Sequence, residues 1–184
     1  SVIIPVRNRF KKLNKKLVLA LKKQTCKKFE VIIANKPSGA GPALKRDIAV
    51  KKAKGKILAF IDDDAYPDKN WLKNALPYFE DQSLAAVCGP GLTSPTDNLK
   101  QKAAGYILSS FIGAGGAGVY RNRLGKKQKV DDYPTFNLLI RKKYFLGVGG
   151  FNTSFWPGED TKLCHNLVYK LRKKIIYDPK VVVY

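Results

Sequence analysis

Ile57-Leu-Ala-Phe-Ile61-Asp62-Asp63-Asp64-Ala65-Tyr66-Pro67 is an apolar run of strand length that breaks off into three consecutive carboxylates. Packing gives no reason for the triplet. Three like charges in sequence repel one another unless water or a cation neutralises them, and an oxygen-only donor set suits Mg²⁺ or Mn²⁺. The alternative is an acidic turn ahead of the next helix, with Asp68 as its N-cap. The triplet alone leaves both readings open.

Around this stretch, apolar runs alternate with helical periods. Ser1 to Pro5 reads as a strand, and Phe10 to Gln24 as a helix with Leu13, Leu17 and Leu21 on one face. Phe29 to Ala34 reads as a strand, Pro42 to Lys54 as a helix, and Ile57 to Ile61 as a third strand. Near-continuous apolar strands joined by helices indicate an α/β fold: a mostly parallel, Rossmann-like sheet with helices on both faces. Ligands of such sheets sit outside the carboxyl ends of the strands. Three loops, Val6 to Arg9, Asn35 to Gly41 and Asp62 to Pro67, therefore converge on one crevice. A helix near Lys69 to Tyr78 and a strand Leu84 to Cys88 follow.

The second half is less regular. Gly89 to Asp132 is glycine-rich with few clear periods, which predicts long loops shaping a site. Gly113-Ala-Gly115-Gly116-Ala-Gly118 has the dinucleotide-binding spacing but lacks the strand-turn-helix context, so it reads as a loop. A strand over Thr135 to Ile140 and the turn Gly147-Val-Gly149-Gly150-Phe151 come next. A helix from about Glu159 to Arg172 then carries Leu163, Leu167, Val168 and Leu171 on one face. Its first turn holds Glu159 and Asp160, where the helix dipole favours negative charge. Simple capping and a chemical role both fit that pair.

At 184 residues, with 45% hydrophobic and 11% aromatic content, the chain suits one domain with a sizeable core. Cys26, Cys88 and Cys164 are odd in number and widely spaced, so they form neither a disulfide framework nor a zinc pattern. A reducing, cytoplasmic setting is the default. No run approaches the roughly 18 apolar residues of a spanning helix, and no signal peptide is read. The apolar runs at both ends, Val2 to Val6 and Val181 to Tyr184, suggest a domain within a longer polypeptide. The net charge of +21 comes with Lys and Arg spread nearly everywhere, and on the helix expected from Phe10 to Gln24 the lysines fall on the face opposite the leucines. This is read as solvated surface rather than a nucleic-acid site, because no recognition motif accompanies it. Such a surface would still favour anionic substrates or an anionic membrane surface, with peripheral association on the cytoplasmic face.

Five segments, taken in order, resemble the family 2 glycosyltransferases of GT-A fold across nearly the whole chain. They are Ser1-Val-Ile-Ile-Pro5-Val-Arg7-Asn8; Phe29-Glu30-Val-Ile-Ile33; Gly55 through Asp64 with Pro67; Gly147-Val-Gly-Gly-Phe-Asn152; and Gly158-Glu159-Asp160. The resemblance implies an inverting transferase that moves a sugar from a nucleotide-diphosphate donor to a hydroxyl of a glycan or lipid-linked acceptor, with Mg²⁺ or Mn²⁺. It implies a single catalytic domain over 1–184, with a donor half at 1–89 and an acceptor half at 90–184. Carried over by position, Asp64 is the metal ligand, Asp62 approaches the ribose or the metal, and Asp160 is the catalytic base with Glu159 beside it. Pro5, Arg7, Asn35 and Asp63 fall on the donor-binding side, and Arg46 is a diphosphate contact.

The chemistry is consistent with those types. Expelling a nucleoside diphosphate builds charge that a cation can neutralise, while the attacking hydroxyl must lose a proton to a carboxylate on the opposite side. One base facing one leaving group implies single displacement, hence inversion. Two departures stand out. Ala34-Asn35-Lys36-Pro37-Ser38 replaces the family's common Asp-Asp-Gly-Ser, leaving an amide that can both accept and donate. His165, the only histidine, does not match the metal-binding His that many members carry, and reads as a helix-surface residue. Two other readings are a binding module with a degenerate site, favoured by Asn35-Lys36, and a nucleotidyltransferase, which would not require Gly158-Glu159-Asp160.

Overall fold

The computed structural model describes residues 1–6, 13–113, 120–151, 153 and 157–184. β1 (Val2–Pro5) and β3 (Ile57–Ile61) are apolar at nearly every position because the sheet is covered on both faces. With β2 (Val31–Ala34) they form a parallel group linked through α1 (Lys15–Lys22) and α2 (Pro42–Lys52). This is the parallel half read from the sequence. The full sheet has seven strands in the order β2-β1-β3-β6-β4-β7-β5 and is mixed. β6 (Asn137–Arg141) lies antiparallel between β3 and β4 (Leu84–Cys88). β7 (Lys174–Tyr177) runs parallel to β4, and β5 (Gln128–Val130) antiparallel to β7.

The reversal of β6 positions the site. Its first residue, Asn137, pairs with Ile61, the last residue of β3. Whatever precedes β6 therefore arrives beside Asp62–Asp64.

Several elements differ from the sequence reading. The first described helix runs Lys15–Lys22 with Asn14 as its cap, accepting from the Lys16 N–H at 2.9 Å; residues 10–12 of the expected helix lie outside the described residues. α3 (Trp71–Ala75) is short and tightens into a 3₁₀ turn over Leu76–Glu80, since Pro77 supplies no N–H to continue an α-helix. Asp68 does not occupy the cap position. Asn70 does, and the Asp68 carboxylate accepts the Asn70 N–H at 2.8 Å.

The expected long loop after β4 contains α4 (Leu99–Ser109), closed at its start by a capping box of Asn98 and Gln101. It buries no residue, so it leaves no apolar stripe to read. The helix expected from Glu159 to Arg172 divides into α6 (Glu159–His165) and a π turn over Asn166–Lys170. It follows α5 (Lys142–Gly147). Val181 to Tyr184 makes only isolated bridges, from Val183 to Pro67 and Gly91.

Two hydrophobic clusters sandwich the sheet, as strand alternation requires. One holds Ile3, Leu58, Phe60, Leu138, Ile140, Phe145 and Phe151; the other holds Val2, Ile4, Leu17, Ile61, Trp71 and Leu139. The cysteines are free thiols, and burial pushes Cys164 up to about 12. Among the described residues no helix is long and apolar enough to cross a membrane.

Asn137 ties the layers together from a fully buried position. Its amide donates to the carbonyls of Gly89 and Val181 at 2.6 and 2.7 Å, and its carbonyl accepts the Trp71 indole N–H at 2.8 Å. Asn137→Leu strips partners from these buried groups, each of which costs about 1–3 kcal/mol when left unsatisfied. The variant should lose about 3–5 kcal/mol in urea unfolding. A loss below about 1 kcal/mol would show that water replaces the amide.

Candidate active site

The carboxyl ends of β1 and β3 open onto a cleft of about 660 Å³, walled by Pro5, Val6, Gly39 to Pro42, Lys45, Arg46 and the triplet Asp62, Asp63 and Asp64. Five predicted site residues thus meet in one cavity: Pro5, Arg46, Asp62, Asp63 and Asp64. Asn35 follows β2, half-buried, outside that lining. Arg7 lies outside the described residues.

α2 supplies the wall opposite the aspartates. Pro42 sits at its first turn, where a missing N–H costs nothing. One face of the helix carries Ala43, Arg46, Ala49 and Val50, so the guanidinium is carried inward with the apolar side chains and is 4% exposed. Its Nη2 donates to Asp62 Oδ1 at 2.7 Å, and its plane lies 5.7 Å from the Phe151 ring centre. Lys45, also buried, donates to the Val6 carbonyl at 2.9 Å. Next to it, Asp47 accepts the Phe151 N–H at 3.1 Å. That contact needs Gly150, whose φ is +76° and whose Cβ would fall 2.7 Å from Asp47 Oδ1. The glycine turn therefore presses Phe151 against Arg46.

Asp62 keeps 38% of its side-chain surface open. Partial burial raises its pKa, Arg46 opposes that rise, and the charges of Asp64 and Asp160 add to it. Asp160, from the far end of the sequence, thus lies within the electrostatic reach of the triplet.

Asp160 opens α6, but it does not cap it. The cap position is Gly158 at φ +118°, with no side-chain cap bond. Both Asp160 oxygens instead accept from Thr135, one from its N–H and one from its hydroxyl, each at 3.0 Å. Burial raises the Asp160 pKa; the Thr135 bonds and the Arg46 charge lower it, and Glu159 raises it. Glu159 is buried and turns back on the Gly158 N–H at 3.3 Å. Capping thus describes Glu159 better than Asp160. Glu159 and Asp160 also line a second cavity of about 300 Å³ with Arg121 and Asp132, which pair at 2.7 Å. His165 is exposed and rests 4.9 Å from the Tyr169 ring, a surface residue as read.

The donor chemistry of the triplet fits a hard divalent cation. Its ligands are carboxylate oxygens at an open cleft, with Asp64 exposed. Among the described residues no group of three or more His, Cys, Asp or Glu could hold a metal alone. Mg²⁺-type sites commonly use one or two carboxylates and complete the shell with substrate phosphates and water.

Lys45, Asp47, Thr135, Arg121 and Asp132 escaped the sequence reading. Arg46 and its neighbours did carry a signal, a charged residue repeating with Ala43, Ala49 and Val50 on a buried stripe. Thr135 carried none, since its partner lies 25 residues away.

The glycosyl transferase family 2 model matches residues 34–146, which include Asn35, Arg46 and the triplet. The pre-mycofactocin glycosyltransferase of Mycobacterium tuberculosis is 25% identical over 154 residues, covering 84% of this chain. This chain spans about a third, 32%, of the length of that curated relative. In fold it is similar to GalNAc-T7 solved with UDP, GalNAc and Mn²⁺, with a TM-score of 0.72 and 13% identity over 99% of this chain and 42% of that one. It is similar also to the Pyrobaculum calidifontis mannosyltransferase PcManGT solved with GDP-Man and Mn²⁺, with a TM-score of 0.68 and 18% identity over 99% and 55% of the two chains. The fold is thus GT-A, and with more than half its length matched by the family model, the chain belongs to glycosyl transferase family 2.

Proposed function

We propose that this domain transfers a sugar from a nucleotide-diphosphate donor to an acceptor hydroxyl with inversion, aided by Mg²⁺ or Mn²⁺. One observation carries the reading. Asp62, paired with the buried Arg46 at 2.7 Å, and Asp160, held by Thr135 just ahead of β6, come from opposite halves of the chain to the carboxyl end of β3. The UDP and GDP-Man with which GalNAc-T7 and PcManGT were solved support a nucleotide-sugar donor.

The donor diphosphate lies in the 660 Å³ cleft. Asp64, with Asp62, holds the cation, which when bound neutralises charge on the departing diphosphate. Pro5 and Asp63 shape the floor, and Asn35 reads the base edge. Arg46 fixes Asp62 and supplies positive field to the diphosphate. Asp160 takes the proton of the acceptor hydroxyl, and Thr135 holds both carboxylate oxygens in place for that step. Residues 1–89 form the donor half and 90–184 the acceptor half, with Glu159 and the Arg121–Asp132 pair lining the acceptor entrance. The acceptor is a glycan or lipid-linked hydroxyl. Three free thiols, two of them buried, support a cytoplasmic location.

Asp64→Ala should keep the fold and lose Mn²⁺-dependent binding of UDP or GDP in calorimetry. Unchanged metal dependence would remove Asp64 from the site.

Asp160→Asn keeps size and hydrogen bonding but not basicity. Turnover should fall roughly 10²- to 10⁴-fold with donor affinity unchanged, the loss typical of a general base. Near-normal kcat would eliminate Asp160 as the base.

The pH dependence follows in sign. The base works deprotonated, and its pKa is raised, chiefly by burial. Activity should therefore decline on acidification from a midpoint above the ordinary aspartate value of about 3.9. Residual turnover of Asp160→Asn should lack this limb. If the limb persists unchanged in the variant, another group causes it.

A further inference from the structure

The sheet end opposite the aspartates holds a second basic cavity. β3 starts at Ile57 and β6 ends at Arg141, paired residue to residue. The segments flanking them therefore bring Lys54, Lys56, Arg141, Lys142 and Lys143 around one cavity of about 520 Å³. All five are cationic, and no acidic residue lines it. The four residue steps of β3, roughly 13 Å at ~3.3 Å each, separate this cavity from the donor cleft.

The cations differ in what they can offer. The Arg141 guanidinium is nine-tenths buried and committed to the backbone carbonyls of Leu84, Asp81 and Phe79. Lys142 Nζ donates to the Ala53 carbonyl at 2.6 Å. These two give a fixed positive field. Lys143 Nζ donates to the amide oxygen Gln82 Oε1 at 2.8 Å and rests over the Tyr144 ring, and it keeps protons to donate. The exposed Lys54 and Lys56 ammonium groups have no hydrogen-bond or ion-pair partner among the described residues.

Nearby carboxylates do not neutralise the cavity. Glu30 accepts the Lys54 and Gly55 N–H groups and the Ser1 hydroxyl, and Asp81 accepts from Ser83. Neither lines the cavity. Five like charges around one concavity repel, and a multivalent anion relieves that repulsion while taking up the ammonium protons.

We propose that this cavity binds a multiply charged, phosphate-bearing anion, with Lys54, Lys56 and Lys143 as its ligands and Arg141 and Lys142 as a fixed field. Binding here needs no metal, because no carboxylate stands between the lysines and the phosphate. This separates it from the proposed donor site.

Calorimetry with inorganic pyrophosphate in EDTA tests it. The double variant Lys56→Glu/Lys143→Glu should bind at least about tenfold more weakly, given the 1.5–3 kcal/mol typical of a charged hydrogen bond. The control pair Lys100→Glu/Lys126→Glu makes the same change of net charge at exposed positions elsewhere and should stay within about twofold. Equal weakening by both pairs would reduce the effect to diffuse charge and overturn the site. So would the absence of pyrophosphate binding by the unmodified protein. Flotation with phosphatidylcholine vesicles containing phosphatidate, run on the same variants, identifies the source. Vesicle binding lost with the cavity pair alone assigns the phosphate to a lipid headgroup. Vesicle binding unchanged, with pyrophosphate binding lost, assigns it to a soluble anion.

Discussion

The ion pair between Arg46 and Asp62 is the constraint on which the rest of the site depends. A guanidinium with 4% of its surface exposed has lost nearly all its hydration, a cost of several kcal/mol unless a partner restores it. Asp62 at 2.7 Å is that partner, and the Phe151 ring covers the other side of the cation. The pair in turn makes the acidic end of β3 tolerable, because Asp62 sits beside Asp64 and within the field of Asp160. Lysine would not substitute. Its compact ammonium lacks the planar face that lies over Phe151 and the fork that reaches Asp62 from a helix-bound stem.

Topology brings the second half of the chain to that pair. Had β6 run parallel to β3, its preceding loop would emerge at the opposite end of the sheet, with the basic cavity. Antiparallel insertion places Thr135 at the carboxyl end of β3, and Thr135 then fixes Asp160 through two hydrogen bonds. The same reversal brings Arg141 to Lys143 beside Lys54 and Lys56. One strand direction therefore accounts for both charged ends of the molecule, acidic where the cleft opens and basic behind it.

What could be read from the sequence follows from how each element is stabilised. Ile57–Ile61 and Leu84–Cys88 were legible to the residue, because strands covered on both faces are written as unbroken apolar runs. The triplet was legible because charge at a strand end has no packing explanation. α4 was not, since it rests on a local capping box and buries nothing. β7 was missed because its four residues, Lys174–Tyr177, are held by pairing with β4 and β5 rather than by their own pattern. The Arg46 stripe on α2 was visible, yet its partner Asp62 was not identifiable, because a stripe tells which residues go inward and not what they meet. The Asp160–Thr135 contact lay beyond sequence reading altogether, being fixed only once the sheet closes.

The surroundings of the two carboxylates also decide how the proposed labour is divided between them. Asp62 is bound to a cation, so accepting a proton would forfeit the pair that keeps Arg46 solvated. Asp160 is bound to an N–H and a hydroxyl, which orient it without cancelling its charge. Burial raises the pKa of both. In Asp62 the tendency to protonate is opposed by a contact at 2.7 Å; in Asp160 the opposing donors are neutral and Arg46 acts on it only as a field. A carboxylate positioned by neutral donors and pushed upward by burial is the better proton acceptor of the two, whereas one paired to a buried guanidinium is the better fixed charge. The same aspartate chemistry thus suits the proposed base on α6 and the proposed anchor at the end of β3, set apart by what each touches.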